Sequence, residues 1–294
     1  MSTPKAQGAC SLGFFYNRVV LAPDLIVANS VIGIASISLG CLAARSKFFL
    51  PRWRRLLVAA FAVVGLLTYS LWLEDNLILA RLLPVADVIA WTNIQFPAAA
   101  ILAGIAWIDL RAPRWQRIPL CAILLALGFW RMIEPYTGAM PHLTAAHWAH
   151  GICRQSTTST CSPAAAATAL AAVGISTSEA EMADLCLTRA DGTFVLGLYR
   201  GLKLKTAGSK WNVAVFNGNA DELRRMPLPA IIIIHAAGIS NGRLSVGDRH
   251  AVVLFAFNPD GTVEVGDPYS GRQRLQIGQL AEVYDNCAIA LERD

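Results

Sequence analysis

With 294 residues the chain has length for two domains, and 55% of those residues are apolar against only 15% charged. Soluble globular proteins carry about 25% charged residues, so this balance excludes an ordinary soluble fold for the whole chain. The net charge of +5 comes largely from arginines beside the apolar runs, which gives no reason to expect a nucleic-acid partner.

In chain order, residues 1–134 hold the apolar excess and are expected to form a transmembrane region of about four spans. Leu25 to Ala44 and Leu56 to Leu73 are free of charge. Val85 to Ile108 contains Asp87 and Asn93, so its firm part is Phe96 to Ile108. Ile118 to about Ile133 is short and carries Arg131, whose stem would let the guanidinium snorkel to the interface. The first run begins late, is long and is followed by more spans, so it reads as an uncleaved segment rather than a signal peptide. Cys10, Cys41 and Cys121 fall in this half as small apolar residues.

Arg45, Lys47, Arg52, Arg54 and Arg55 lie between the first two spans, and Arg111, Arg114 and Arg117 between the last two. The loop after the second span opens with Glu74-Asp75 and offers only Arg81. The positive-inside rule then predicts two cytoplasmic basic loops, both termini outside, and everything after Pro135 on the periplasmic or extracellular side of a bacterial inner membrane. Residues 135–150 have turn residues and three histidines and are expected to be a linker. The i, i+3 spacing of His147 and His150 would place both on one helical face. With His142 they lack acidic companions, so no metal site is expected.

The stretch RQSTTSTCSPAAAATALAAVG sets a single thiol, Cys161, between a hydroxyl-rich run and an alanine-rich helix opened by Pro163 and stopped at Gly174. A helix start favours a thiolate. Ser178 and Glu181 fit a capping box for a second helix to about Leu187, and a third begins after Gly192-Thr193. From Trp211 the runs become short and β-branched: WNVAVF, AIIIIHA, HAVVLFAF and TVEVGD, with an Asn258–Gly261 turn between the last two. A final helix at about Ile277 to Tyr284 and a strand at Cys287 to Leu291 close the chain. Helices first, then a mainly antiparallel sheet, is an α+β layout.

A thiol peptidase needs a base, a group to orient that base, and oxyanion donors. His250 opens a strand after the polar run NGRLSVGDR, and Asp267 ends the next strand, so a hairpin brings them to one end of the sheet. His235 ends AIIIIHA and is the histidine set aside; Asp248 reads as a solvated loop acid. Gln155, six residues before Cys161, is placed to set its amide beside the Cys161 N–H as a two-donor oxyanion hole.

A glutamine, five residues, a cysteine before a helix, then a strand-opening histidine and a strand-closing Asp-Pro: this pattern resembles the bacteriocin-processing cysteine peptidases, papain-like enzymes that cut leader peptides after a double glycine. The resemblance covers about Cys153 to the C-terminus, residues 151–294 being the expected papain-like domain. It implies Cys161 as nucleophile, His250 as base, Asp267 as orienter, Gln155 as oxyanion donor, and no cofactor. Two departures stand out. Ser162 follows the cysteine where the family typically has glycine, and the sequence shows no GxxxxGK[ST] motif of an export ATPase. A stand-alone, membrane-anchored relative is the nearer comparison, so the double-glycine substrate is not carried over.

On an oxidising side of the membrane, a disulfide among Cys153, Cys186 and Cys287 is allowed. Of three pairings, Cys153–Cys186 is preferred because it would brace the loop carrying Gln155. The expected function is a membrane-anchored cysteine peptidase acting on a peptide or secreted protein, with the lipid bilayer as a partner and any membrane-protein partner left open. The alternatives are a non-catalytic sensor or accessory subunit on the same fold, and a cysteine amidase or transpeptidase acting on cell-wall peptides.

Overall fold

The computed structural model describes residues 22–145, 147–236, 238–240, 243–245 and 248–293. Cys10, and the part of the NGRLSVGDR turn at Asn241, Gly242, Val246 and Gly247, lie outside the described residues. Among the described residues, four helices are long and apolar enough to cross a membrane, at Pro23–Phe48, Arg52–Leu73, Val88–Asp109 and Arg114–Tyr136. Their regular parts are α1 (Pro23–Arg45), α2 (Arg52–Thr68, widened to a π turn as far as Leu73), short α3 (Leu77–Leu82) and α4 (Val88–Trp91), α5 (Gln95–Asp109) and α6 (Arg114–Ile133).

The third run differs from the other three in its surroundings. Helix α5 is the centre of the group, packed against α1, α2 and α6, and most of it is buried in protein. A helix surrounded by protein needs small residues more than greasy ones. A Cβ added at Gly104 would lie 2.4 Å from the Gly40 carbonyl oxygen, and one at Gly128 would lie 2.6 Å from Ala99 Cβ. Polar groups at the head of α5 are satisfied internally: Asn93 Nδ2 donates to the Arg131 carbonyl (3.0 Å), and Asn93 Oδ1 accepts from Gln95 N (3.1 Å). Arg131, near the end of α6, is likewise partnered within the protein. It pairs with Glu74 and Glu134, and its Nε donates to Gln95 Oε1 at 3.1 Å. At the opposite end, Arg55 grips Asp109 with two bonds (2.5 and 2.8 Å), joining the two arginine-rich loops.

The remaining elements, in order, are β1 (His147–Ala149), β2 (Ile152–Arg154), α7 (Cys161–Ala172), α8 (Glu179–Leu185), α9 (Val195–Thr206), β3 (Trp211–Phe216), α10 (Ala220–Leu223), β4 (Ala230–His235), β5 (Gly238–Ser240), β6 (Arg243–Ser245), β7 (Arg249–Phe257), β8 (Thr262–Asp267), β9 (Gly271–Gln276), α11 (Ile277–Val283) and β10 (Tyr284–Arg293). Six strands form one antiparallel sheet in the order β3-β10-β4-β7-β8-β9. The run AIIIIH is continuous rather than alternating because both faces of β4 are covered. Ile231 and Ile233 belong to the core shared with α7 and α9, and Ile232 and Ile234 to a second core with Leu280 and Tyr284. Helix α7 is buried from Ser162 to Leu170, which explains its alanines: only small side chains let it lie close to the sheet and to α8 and α9 at once.

The segment 135–150, expected as a linker, holds contacts and a strand of its own among its described residues. Tyr136 is buried, Ala139 O accepts from Ala190 N (2.8 Å), and His147–Ala149 pairs with Ile152–Arg154 as a hairpin. His142, His147 and His150 are all exposed, and His147 sits on a strand, so the helical-face spacing does not apply.

The two halves share one core, in which Leu25, Tyr69, Leu77 and Ile89 join Ala164, Leu170, Leu196 and Leu202. Arg200, with 2% of its side chain exposed, reaches Asp24 at 2.6 Å. Helix α9 has no side-chain cap of its own at Phe194; Asp75 supplies one from the loop after α2, accepting from Leu196 N at 2.9 Å. All these contacts are at one end of the four long apolar helices. The arginine-rich loops are at the other.

Candidate active site

The hydroxyl-rich run before α7 is a turn tied to itself and to its neighbours. Thr160 Oγ1 donates to Thr157 O (3.1 Å) and accepts from Thr157 N (3.0 Å). Ser156 donates from its N (2.7 Å) and its Oγ (2.5 Å) to Glu179, a carboxylate 1% exposed at the start of α8. Gln155 N donates to Pro268 O (3.0 Å), which fastens the turn to the residue after Asp267. Sequence reasoning missed Glu179 in this role, since the only local signal, the Ser178 cap (Ser178 Oγ accepting from Glu181 N at 3.1 Å), concerns the helix itself.

Cys161 therefore begins α7 at a fixed place, and the first N–H groups of that helix have no intrahelical acceptor. The thiol lies beside the His250 ring, whose hydrogen-bonding capacity and charge act on it. His250 Nε2 meets Asp267 Oδ1 at 2.8 Å, which leaves Nδ1 for the sulphur. His250 is nearly buried and Asp267 fully so. The Asp267 carboxylate also accepts from Ile239 N (2.9 Å), Tyr269 N (2.7 Å) and Ser270 Oγ (2.7 Å), so it is held from four sides. Cys161 and His250 line a cleft of about 600 Å³ whose walls include Arg189–Val195, Asp248 and Arg249.

The electrostatics follow from this geometry. Burial acts to raise the Cys161 pKa, but the hydrogen bond and charge of His250 and the N–H of Ala251 outweigh it, and the thiol sits below its ordinary value. Burial likewise opposes the charged form of His250; the hydrogen bonds to Asp267 and Cys161 win, and its pKa is pushed up to about 9. Asp267, despite burial, is held below the usual carboxylate range by His250, Ser270 and Tyr269. The arrangement favours a thiolate–imidazolium pair.

The structure thus brings Cys161, His250 and Asp267 together. Gln155 stands in the adjoining turn, where its Nε2 donates to Thr157 O at 2.8 Å and keeps a second amide hydrogen. It is not among the residues lining the cleft. His235 does not line the cleft; it is exposed and 3.0 Å from Asp285. Asp248 is exposed on the cleft wall. The Cys153–Cys186 bridge expected from the sequence is not formed: both are free thiols. Cys153 lies on β2, whose N–H is bonded to Thr168 of α7 (2.9 Å), whereas Cys186 is pressed into a slot on α9 where a Cβ at Gly201 would come within 2.3 Å of its sulphur. Burial pushes Cys153, Cys186 and Cys287 each up to about 12.

Comparison with known proteins adds the following. An uncharacterised protein of Methanothermobacter marburgensis is 29% identical over 143 residues, 49% of this chain and 89% of the relative. Among solved structures, a double glycine motif protease from an AMS/PCAT transporter, in complex with its leader peptide, aligns at 15% identity with TM-score 0.41, covering 49% of this chain and 91% of that one. The peptidase domain of Streptococcus ComA, a bi-functional ABC transporter of a quorum sensing pathway, aligns at 21% identity with TM-score 0.39, covering 48% and 96%. The model of the Peptidase C39 family matches residues 150–294, the segment that carries the sheet, α7 and the Cys161–His250–Asp267 cluster, so this half of the chain is similar to the Peptidase C39 family.

Proposed function

We propose that the chain is a membrane-anchored cysteine peptidase with its catalytic half on the non-cytoplasmic side. The observation that carries this reading is the placement of the Cys161 thiol beside His250 on the wall of an open cleft, with His250 in turn bonded to the buried Asp267. The side of the membrane is supported by the separation of the two ends of the helical group. The arginine-rich loops lie at one end and the peptidase half at the other, so retention of the arginines inside puts the cleft outside.

In this mechanism the Cys161 thiolate attacks the scissile carbonyl carbon. The resulting oxyanion is met by the backbone N–H of Cys161 and the remaining amide hydrogen of Gln155. His250, protonated, gives its proton to the leaving amine as the C–N bond breaks, which leaves an acyl thioester on Cys161. Water, deprotonated by His250, attacks the thioester, and the thiolate leaves as the carboxylic acid departs. Asp267 holds the ring orientation and stabilises the imidazolium throughout.

A direct test uses reactivity. In the full-length protein in detergent at pH 7, iodoacetamide is expected to alkylate Cys161 at least about 100-fold faster than Cys153, Cys186 or Cys287, because only Cys161 has substantial thiolate. Peptide mapping by mass spectrometry reads the order. Labelling of Cys161 no faster than of Cys153 would remove the activated-nucleophile reading.

A further inference from the structure

We infer that the cleft takes an extended segment of a chain anchored in the same bilayer and cuts it within a few residues of that anchor. This rests on the peptidase reading above and names its substrate class.

The level of the membrane is marked by exposed tryptophans at both ends of the helices. Trp53, Trp107 and Trp115 stand at the arginine-rich end, and Trp72, Trp91 and Trp130 at the other. Tryptophan collects at the headgroup level, where its ring is partly apolar and its N–H is wet. Directly beyond the second belt comes the layer formed by Glu74, Gln95, Arg131 and Glu134.

The cleft walls are bonded to this layer with nothing between. Arg189 Nη1 donates to the Glu134 carbonyl at 3.0 Å, at the end of the fourth span. Phe194 lines both the cleft and the smaller pocket formed by Glu74, Arg131 and Glu134. Arg249, beside His250, lies 4.0 Å from Asp75, two residues past the second span. The shared core and the buried Arg200–Asp24 pair hold the two halves together, so the cleft is not free to rise on a tether.

Two consequences follow. An extended chain rises about 3.3–3.6 Å per residue, so it crosses one layer of side chains in a handful of residues. A substrate anchored nearby also meets the cleft at an effective concentration set by its short tether, which a soluble peptide must match in bulk. A segment far out on a long stalk gains little, because the cleft stays at one height.

The test uses the full-length protein in liposomes with a library of randomised eight-residue segments. One set carries the segment about five residues outside a polyleucine membrane helix, a second carries it about forty residues outside, and a third has no helix. Cleavage is read by mass spectrometry, with the Cys161→Ala protein as blank. The expected result is cleavage of the near set at least about 10-fold faster than of the far and soluble sets at equal total concentration. Equal rates for near and soluble sets, or faster cleavage of the far set, overturn the inference and leave the peptidase reading standing. Absence of cleavage in every set, with Cys161 still alkylated selectively, overturns the peptidase reading and this inference together.

Discussion

Replacing Cys161 with alanine is expected to abolish peptide hydrolysis, by roughly 10⁵–10⁶ in kcat, while leaving thermal unfolding unchanged. The thiol is the only group that can form the acyl intermediate, and alanine keeps the helix start that the Thr157–Thr160 turn has already fixed. His250→Ala should do nearly as much harm, since the sulphur loses its counter-charge and the leaving amine its proton donor. Asp267→Asn should retain more activity, with a loss of about 10²–10⁴, because an orienter supplies no reacting atom. It should also unfold earlier. Three donors besides His250 point at that carboxylate, and an amide nitrogen cannot accept from them. Gln155→Ala should cost about 10²–10³ if its free amide hydrogen reaches the oxyanion. His235→Ala serves as the control and should stay near wild type, being exposed and not among the residues that line the cleft. If His235→Ala is dead and His250→Ala active, with both folded, the assignment of the base fails. If Cys161→Ala keeps full function in cells, a binding role replaces the enzyme.

The same variants carry a pH signature. Activity requires the Cys161 thiolate and the His250 imidazolium together. On the acid side it falls as the thiol takes up its proton, below the ordinary cysteine range. On the alkaline side it falls as His250 loses its proton, near pH 9. Asp267→Asn weakens the hydrogen bond that raises the His250 pKa, so the alkaline limb should move to lower pH. An alkaline limb that stays put in Asp267→Asn would mean that Asp267 does not set the imidazolium.

Much of this was legible in the sequence, for reasons that differ by region. The membrane runs stand out because lipid demands length and apolarity together, and β8 fell where its alternation and the Asn258–Gly261 turn put it. Cys161 was legible because Pro163 and the alanines fix a helix start. Two kinds of feature were not. Strand β9 (GRQRLQ) lacks apolar alternation because it is the sheet edge, where only Leu275 and Gly271 are buried. The contacts that join the halves, Asp75 to Leu196 and Asp24 to Arg200, span 121 and 176 residues. No local pattern marks an aspartate that caps a helix so far along the chain. The bridge between Cys153 and Cys186 was expected from chain positions alone, which carry no information on which way two thiols point.

Asp24→Ala is expected to loosen the union of the two halves, at a cost of about 3–5 kcal/mol or somewhat less. Arg200 is 2% exposed, and its guanidinium has two polar partners, Asp24 Oδ2 at 2.6 Å and Leu185 O at 3.0 Å; its Nε has none among the described residues. Removing Asp24 leaves that charge buried with one carbonyl for company. The discount arises because the Asp24 side chain is itself 33% exposed, so water already screens part of the pair. Asp24 also lies in the first turn of α1, where a carboxylate is favoured by the helix dipole, and the alanine forfeits this as well. The decisive comparison is the double variant. If the loss comes from a stranded charge, Asp24→Ala with Arg200→Met should recover most of it, because a methionine of similar length fills the space without needing a partner. Thermal unfolding of the full chain in detergent measures all three proteins, and proteolysis between α6 and α7 reports whether the halves part. A loss below about 1 kcal/mol for Asp24→Ala, or a double variant no more stable than the single one, would show that the shared apolar core holds the halves together without the ion pair.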